Sequence, residues 1–228
     1  MADGHVVGLA RALREVAVDG LVTRSSVHVP ALSGALPVIL FLHGAGESGT
    51  DGVLPTTVGI GPAIDAQPER FPAIVVFPQA SRGYGWRGFN LRAAIAALDD
   101  VERAFETDAD RVYVTGISMG GYGTWRLAYE QPERFAAAVP ICGGFDGPPE
   151  DRPIAAQRLA RLPQWAFHGD ADDIIRVDES RAMVQALREA GANVRYTEYA
   201  GARHNSWDRA YAEPELMPWM LGQTRRAI

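Results

Sequence analysis

A serine between two glycines stands where the sequence predicts a tight turn from a strand into a helix. The run Gly116-Ile117-Ser118-Met119-Gly120 follows a β-branched strand pattern and opens a helical one. This G-x-S-x-G arrangement is typical of a nucleophile elbow, a strained turn that exposes the serine hydroxyl. Glycines beside the turn remove side chains that would collide with the neighbouring strand and helix. The pattern predicts a nucleophile at Ser118, and a chance match in a glycine-rich chain is the alternative.

A serine hydroxyl needs a base to take its proton, and the chain has five histidines. His204 lies in a loop after the last predicted strand, where the chain order serine, acid, histidine of many hydrolases places the base. His5 and His28 come before the main strands, so we expect solvated or local roles for them. His43 and His168 each end a strand and begin a His-Gly pair. We expect these two to order their loops by hydrogen bonds.

The acid that orients a catalytic histidine should lie between Ser118 and His204, at the end of a strand. Asp170, Asp172 and Asp173 follow the predicted strand that ends at residue 168. Asp170 is so close to the strand that we expect it to shape the turn. Spacing leaves Asp172 and Asp173 open. The cluster lacks the glycine turn and glutamate of a calcium loop, so we expect no metal site, with a metal-assisted hydrolase as a minor alternative.

Acyl transfer also needs amide donors aimed at the developing oxyanion. The Met119 amide, directly after the serine, supplies one. The loop His43-Gly44-Ala45-Gly46-Glu47 follows an earlier strand and is placed to supply the second. The chain contains neither the phosphate-binding G-x-x-x-x-G-K-[ST] motif nor a G-x-G-x-x-G motif that opens a helix, which disfavours nucleotide binding. We expect no cofactor.

The elements that must position these residues alternate between strands and helices. Several of the strand-like runs are apolar throughout, which is typical of strands covered on both faces of a parallel sheet. Strands are predicted at Ser25–Val29, Val38–Leu42, Ile74–Phe77, Val112–Thr115, Ala136–Ile141, Trp165–His168 and Val194–Tyr199, and helices at Leu91–Glu106, Met119–Glu130 and Glu179–Ala190. This order predicts an α/β fold with a mostly parallel central sheet.

The first twenty residues carry a different pattern. Val6, Leu9, Ala10 and Leu13 recur at helical spacing, which predicts an N-terminal helix. No basic segment followed by an apolar one precedes it, so we expect no signal peptide and a cytoplasmic protein.

Composition sets the broad class. The 228 residues are 47% hydrophobic, enough for one sizeable core, so we expect a single domain over residues 1–228. The net charge of −6 and the absence of a long basic run argue against nucleic-acid binding. Cys142 is the only cysteine in the sequence, which excludes an intrachain disulfide. The apolar runs are too short to cross a bilayer, so we expect no membrane association, and the oligomeric state stays open.

Taken together, these segments resemble the α/β-hydrolase superfamily of serine esterases. The resemblance is carried by Phe41–Gly49, Phe77–Gln79, Gly116–Thr124, Pro140–Gly144, His168–Asp172 and His204–Trp207. The chain is similar in particular to small phospholipase/carboxylesterases, dienelactone hydrolases and the polyhydroxybutyrate-depolymerase or feruloyl-esterase-like proteins. The resemblance implies an α/β-hydrolase fold with little or no lid.

The resemblance also implies two site assignments that spacing leaves open. In these families the acid occupies the fifth position of His-Gly-x-x-Asp, which is Asp172 here, and the second oxyanion amide follows the His-Gly pair, at Ala45. The chain departs from the families at Arg176, where proline is frequent, and at Phe145-Asp146, where a glycine-rich continuation is expected. Asp173 therefore stays an alternative acid.

The predicted function is a carboxylesterase that forms an acyl-enzyme on Ser118 and acts on short or soluble small-molecule esters, including aromatic ones. Trp86, Tyr122, Phe145 and Trp207 lie in or beside the predicted edge loops and are the candidate substrate-binding residues, with packing under a loop as the alternative. A peptidase or thioesterase with the same triad is the second candidate function. A non-catalytic interaction module with this fold is the third.

Overall fold

The computed structural model describes residues 11–225, which contain one eight-stranded sheet with helices on both of its faces. The strands are β1 (Ala12–Val18), β2 (Leu21–His28), β3 (Leu36–Leu42), β4 (Ile74–Pro78), β5 (Thr107–Ile117), β6 (Ala137–Ile141), β7 (Gln164–Gly169) and β8 (Val194–Tyr199). The helices are α1 (Ile60–Ala66), α2 (Phe89–Ala104), α3 (Met119–Glu130), α4 (Arg152–Leu159), α5 (Asp178–Glu189), α6 (Trp207–Ala212) and α7 (Leu216–Leu221).

The sheet order is β1-β2-β4-β3-β5-β6-β7-β8. β1 pairs antiparallel to β2, and β2 pairs antiparallel to β4. The other six strands, β3 to β8, run parallel to one another. The predicted α/β-hydrolase fold class is confirmed. Because parallel strands all end at one edge, the loops after β3, β5, β7 and β8 meet there.

The two faces of the sheet are covered by different helices. Alternate residues of the central strands point to opposite faces, so Val38 and Leu40 join one core while Ile39 and Phe41 join the other. The first core is completed by α2, α3, α4 and α5, and the second by α1, α6 and α7. The uninterrupted apolar strands are explained by this burial on both faces.

The N-terminal helix prediction is wrong for the described residues, because the chain from Ala12 forms β1. Leu13, Glu15 and Ala17 are exposed while Arg14 and Val16 are half-buried, which is the two-residue alternation of a strand with one covered face. β1 pairs with β2 over its full length and packs on α2. Val6, Leu9 and Ala10 lie outside the described residues.

Short connections cover the carboxyl edge of the parallel strands. Residues 79–88 join β4 to α2, and residues 142–151 join β6 to α4. Within residues 11–225, no separate helical lid is inserted over this edge, as predicted. Over the same residues, no helix is long and apolar enough to span a membrane.

Candidate active site

Ser118 stands at the sharp turn between β5 and α3, with backbone angles of φ 54° and ψ −117°. A positive φ at a residue with a Cβ costs of the order of 1–3 kcal/mol and persists only where the surroundings hold it. The Ser118 amide donates to the carbonyl of Ile141 at 3.0 Å and to the Cys142 sulfur at 3.3 Å. The Ser118 carbonyl accepts from the amides of Gly121 and Tyr122 in the first turn of α3. These bonds hold the strained turn in place.

Glycine at 120 allows this turn to form against β3. A Cβ on Gly120 would lie 1.8 Å from the backbone carbonyl oxygen of Leu42. A Cβ on Gly116 would lie 2.4 Å from the carbonyl of Gly120. The predicted reason for glycine at these positions therefore holds, with backbone atoms as the colliding groups.

His204 faces Ser118 from the loop between β8 and α6. Its Nε2 lies 2.9 Å from Ser118 Oγ, and its Nδ1 lies 2.8 Å from Asp172 Oδ2. The ring packs edge-on against Trp207 with 5.3 Å between the centroids. The structure thus brings the predicted nucleophile, base and acid into one hydrogen-bonded row, although they are far apart in sequence.

The Asp172 side chain is buried in the loop after β7. Its Oδ1 accepts the amides of Ile174 and Ile175, both at 2.9 Å. Burial raises the pKa of the Asp172 carboxyl, but the hydrogen bonds from His204 and from the two amides outweigh it, so the pKa lies below its usual value. Asp172 is therefore an anion at neutral pH, in contact with the His204 ring.

The other two aspartates of the cluster point elsewhere. Asp170 accepts the amide of Gly201 at 2.7 Å, and Asp173 pairs with Arg203 at the surface at 2.9 Å. The geometry separates Asp172 from Asp173, which spacing alone left open. In residues 11–225 the single group with metal-ligand spacing is Cys142 with Asp172 and His204, whose ligand atoms lie within 4.8 Å of one another. Since Asp172 and His204 bond to each other, we assign no metal to them.

Ala45 and Met119 each begin a helical turn, and both line one cavity. Met119 is the first residue of α3, and Ala45 opens a short 3-10 turn after β3. The first amides of a helix have no partner within it and are free to bind an anion. A cavity of about 470 Å³ is lined by both residues together with Gly46, Ser48, Arg82 and Gly83. Met119 directly follows Ser118, and a Cβ on Gly44, the residue before Ala45, would lie 3.6 Å from the Ser118 Cβ, so the Ala45 loop approaches the nucleophile. The oxyanion role of the two amides stays a prediction.

His43 anchors the loop that carries Ala45. Its Nε2 accepts the Ala80 amide at 2.9 Å, so the ring proton is on Nδ1 and is donated to the Gly44 carbonyl at 2.6 Å. Trp86 donates its indole N–H to the His43 carbonyl at 2.9 Å and packs edge-on against the His43 ring. The predicted loop-ordering role of His43 therefore has a definite geometry.

The four aromatic candidates for substrate binding lie in different settings. Trp86 and the half-buried Tyr122 line a second cavity of about 390 Å³ that shares Met119 with the first. Trp86 is only 2% exposed, so packing accounts for most of its surface. Phe145 packs edge-on against Tyr129, and Trp207 packs against His204.

The lining of the second cavity includes an ion pair, Arg87 with Asp146, that sequence reasoning did not single out. Arg87 donates to Asp146, with Nε 2.6 Å from Oδ2, and joins the loop after β4 to the loop after β6. A larger surface depression, of about 670 Å³, lies at the end of α3 between Glu130 and Arg158. It is remote from Ser118 in the fold, and we assign it no role.

A family model described as the Dienelactone hydrolase family matches residues 85–213, more than half of the chain. The chain belongs to the dienelactone hydrolase family. The matched segment contains Ser118, Asp172 and His204. The resemblance to α/β-hydrolase esterases inferred from the motifs is thereby confirmed.

Individual relatives agree with this family membership. A thermostable esterase of known structure is 32% identical, with a TM-score of 0.83 over 94% of this chain and 63% of that one. NocK of Nocardia uniformis subsp. tsuyamanensis, which carries a provisional assignment as an esterase, is 30% identical over 178 residues. An uncharacterised secreted protein of Arthroderma benhamiae is 28% identical over 202 residues.

This member of the dienelactone hydrolase family covers only part of the length of those relatives. The match to NocK covers 71% of this chain and 48% of NocK, and the match to the Arthroderma benhamiae protein covers 75% of this chain and 22% of that protein. The chain thus spans about half or less of the curated relatives it matches.

Proposed function

We propose that the protein is a serine-dependent carboxylic ester hydrolase that acts on short, soluble esters. The observation that carries the proposal is the 2.9 Å contact between Ser118 Oγ and His204 Nε2 at a strained turn. A hydroxyl held against an imidazole, with that imidazole held by a buried carboxylate, is the arrangement that activates serine for acyl transfer.

The reaction begins when the Ser118 oxygen attacks the ester carbonyl carbon. The Ser118 proton passes to His204 Nε2, and the carbonyl π electrons move to the oxygen. The resulting imidazolium is stabilised by Asp172, which bonds to Nδ1 and keeps Nε2 free to accept the proton. When the bond to the leaving alcohol breaks, His204 returns its proton to that oxygen. An acyl-enzyme on Ser118 remains, and water repeats the sequence to release the acid.

The developing negative oxygen needs donors that are in place before the reaction. The Met119 amide is fixed by the start of α3, and the Ala45 amide is fixed by the loop that His43 anchors. In enzymes of this kind, loss of one oxyanion donor costs about 10²- to 10³-fold in kcat. We assign the two amides to this role because Ala45 and Met119 line one cavity, Met119 directly follows Ser118, and Gly44 packs close to Ser118.

Substrate size is limited by the loops around the two cavities. The loop after β4 contributes Gly83, Tyr84 and Trp86 to the second cavity, and the Arg87–Asp146 pair, which joins this loop to the loop after β6, lines it as well. The half-buried Tyr122 offers an aromatic surface to a substrate bound along the Met119 side, with the buried Trp86 behind the loop. These features favour small acyl groups, aromatic ones included, over long acyl chains.

A fluorophosphonate probe and an ester panel test the proposal. The wild type should be labelled and should hydrolyse p-nitrophenyl acetate, and Ser118→Ala should abolish both. Asp172→Asn should lower kcat by about 10³- to 10⁴-fold, because the histidine loses its orienting carboxylate. Asp173→Asn is the matched control and should stay close to the wild type, because the Asp173 carboxylate pairs with Arg203.

Three outcomes would contradict the assignment. Labelling that persists in Ser118→Ala would place the nucleophile elsewhere. Faster turnover of acyl thioesters or peptides than of matched esters would assign the site to another acyl bond. Loss of ester hydrolysis in EDTA would point to a metal-assisted reaction.

A further inference from the structure

A second imidazole contacts the carboxylate that orients His204. His168 is the penultimate residue of β7 and is fully buried. Its Nε2 lies 3.2 Å from Asp172 Oδ2 and 3.0 Å from the carbonyl oxygen of Ile175. The same Oδ2 atom is 2.8 Å from His204 Nδ1. One carboxylate oxygen is therefore shared by two histidine rings.

The proton positions on His168 follow from its partners. Neither a carboxylate nor a carbonyl oxygen can donate, so the proton on this side of the ring is on Nε2. Nδ1 lies 2.7 Å from the hydroxyl of Ser180, which is also 2.7 Å from the Gly143 carbonyl. Burial lowers the pKa of His168 and outweighs the opposing effects of Ile175 and Asp172, so the ring is neutral with its proton on Nε2. The single hydroxyl proton of Ser180 then faces two acceptors, the Gly143 carbonyl oxygen and the unprotonated Nδ1.

Asp172 is the anion that pairs with His168, because the other ionisable groups nearby are bonded elsewhere or neutral. Glu198 on β8 is engaged by Arg181, at 2.6 Å, and by the hydroxyl of Tyr196. Burial raises the pKa of the Cys142 thiol to about 12, so this neighbour of Asp172 stays protonated at neutral pH. His204 approaches Asp172 from the solvent side, with its side chain 20% exposed.

We propose that His168 is a positioning residue for the catalytic acid: its Nε2–H bond holds Asp172 Oδ2 in line with His204 and takes up part of the carboxylate charge. With the amides of Ile174 and Ile175 on Oδ1, the carboxylate then has donors on both oxygens. Hydrogen bonds to charged groups are stronger than those between neutral groups, so donors on both oxygens fix the orientation of the carboxylate. The inference rests on the proposed function, since it assigns a role within the same triad.

Removal of the His168 N–H donor should shift the pH dependence of kcat/KM in one direction. Without His168, the Asp172 charge is shared less and attracts the His204 imidazolium more strongly. His204 then keeps its proton to higher pH, and the acidic limb of the kcat/KM profile moves to higher pH. Simple loss of packing would lower stability without moving this limb.

His168→Leu and His168→Gln form the test. His168→Leu should lower kcat about tenfold, the size expected from one lost charge-assisted hydrogen bond, with little change in KM. Its acidic limb should move up by about half a pH unit or more. His168→Gln keeps an N–H donor of similar reach and should restore the limb toward its wild-type position. Ser180→Ala is the matched control, because it removes a buried partner of His168 that does not touch Asp172, and its limb should not move.

A proton NMR measurement tests the contact without relying on activity. The downfield resonance of the His204 Nδ1–H should shift in His168→Leu and return toward the wild-type position in His168→Gln. An acidic limb and a resonance that are both unchanged in His168→Leu would overturn the inference. A wild type that neither labels nor hydrolyses esters would overturn the proposed function instead, and the resonance would still report on His168.

Discussion

Acid should destabilise the fold through His43, whose ring is locked between two backbone groups. Its Nε2 accepts the Ala80 amide, so a proton added there would face an N–H donor. Burial lowers the pKa of His43 to about 4, from an ordinary value of 6.5. Between these two values the unfolded chain binds a proton at this position and the folded chain does not.

The size and sign of the effect follow from this difference. Stability rises with pH wherever the unfolded state binds more protons, so the contribution of His43 falls as the pH drops from about 6.5 to 4. Integrated from about pH 7.5 to about pH 4.5, a shift of this size removes about 2.5 kcal/mol from the free energy of unfolding. This is a substantial part of the 5–15 kcal/mol that typically holds a domain together.

Urea unfolding of the wild type and His43→Gln at the two pH values isolates this contribution. Glutamine does not titrate, while all other ionisable groups are common to both proteins, including His28 and His168, whose pKa values are also lowered by burial. The wild type should lose about 2.5 kcal/mol more than the variant on acidification. Equal losses in the two proteins would refute the assignment of a locked, neutral ring.

Two further predictions concern the backbone and the thiol beneath the elbow. Gly120→Ala should lower the free energy of unfolding, measured by urea or thermal denaturation, by about 3 kcal/mol or more, because the added methyl meets the Leu42 carbonyl. Gly46→Ala is the control: the space around Gly46 is open, so this variant should be nearly neutral in the same assay. Cys142 is buried with its pKa raised to about 12, so iodoacetamide at neutral pH should label it only after the protein unfolds; rapid labelling of folded protein would contradict this placement.

The central strands and the main helices could be predicted because their patterns are long and regular. α3 has the predicted bounds, since the glycine turn fixes its start and Pro132 follows its end. β1 was missed because its outward-facing apolar residue, Leu13, continues a helical spacing from the preceding residues. The helices α1, α6 and α7 have six or seven residues each, too few to show a periodic stripe.

The site was predictable in its residue types and less so in its contacts. Ser118 and His204 follow from the motif and from the chain order, but the separation of Asp172 from Asp173 depends on how the loop after β7 bends toward His204. The contact between His168 and Asp172 also depends on that bend. Its signal in the sequence is the four-residue spacing within His-Gly-x-x-Asp, which by itself does not show that the two side chains meet.

The close approach of Gly120 to the Leu42 carbonyl joins the serine turn to the strand that leads into the Ala45 loop. The Ser118 oxygen and the amides proposed as oxyanion donors are therefore carried by one rigid frame, so a change to one of them also displaces the others. Residues 82–85 and 145–148 lie outside that frame and are exposed or half-buried, whereas Trp86, Gly143 and Gly144 are buried against it. Substitutions intended to broaden the substrate range should be made in those two segments, because they leave Ser118, His204 and the Ala45 loop in position.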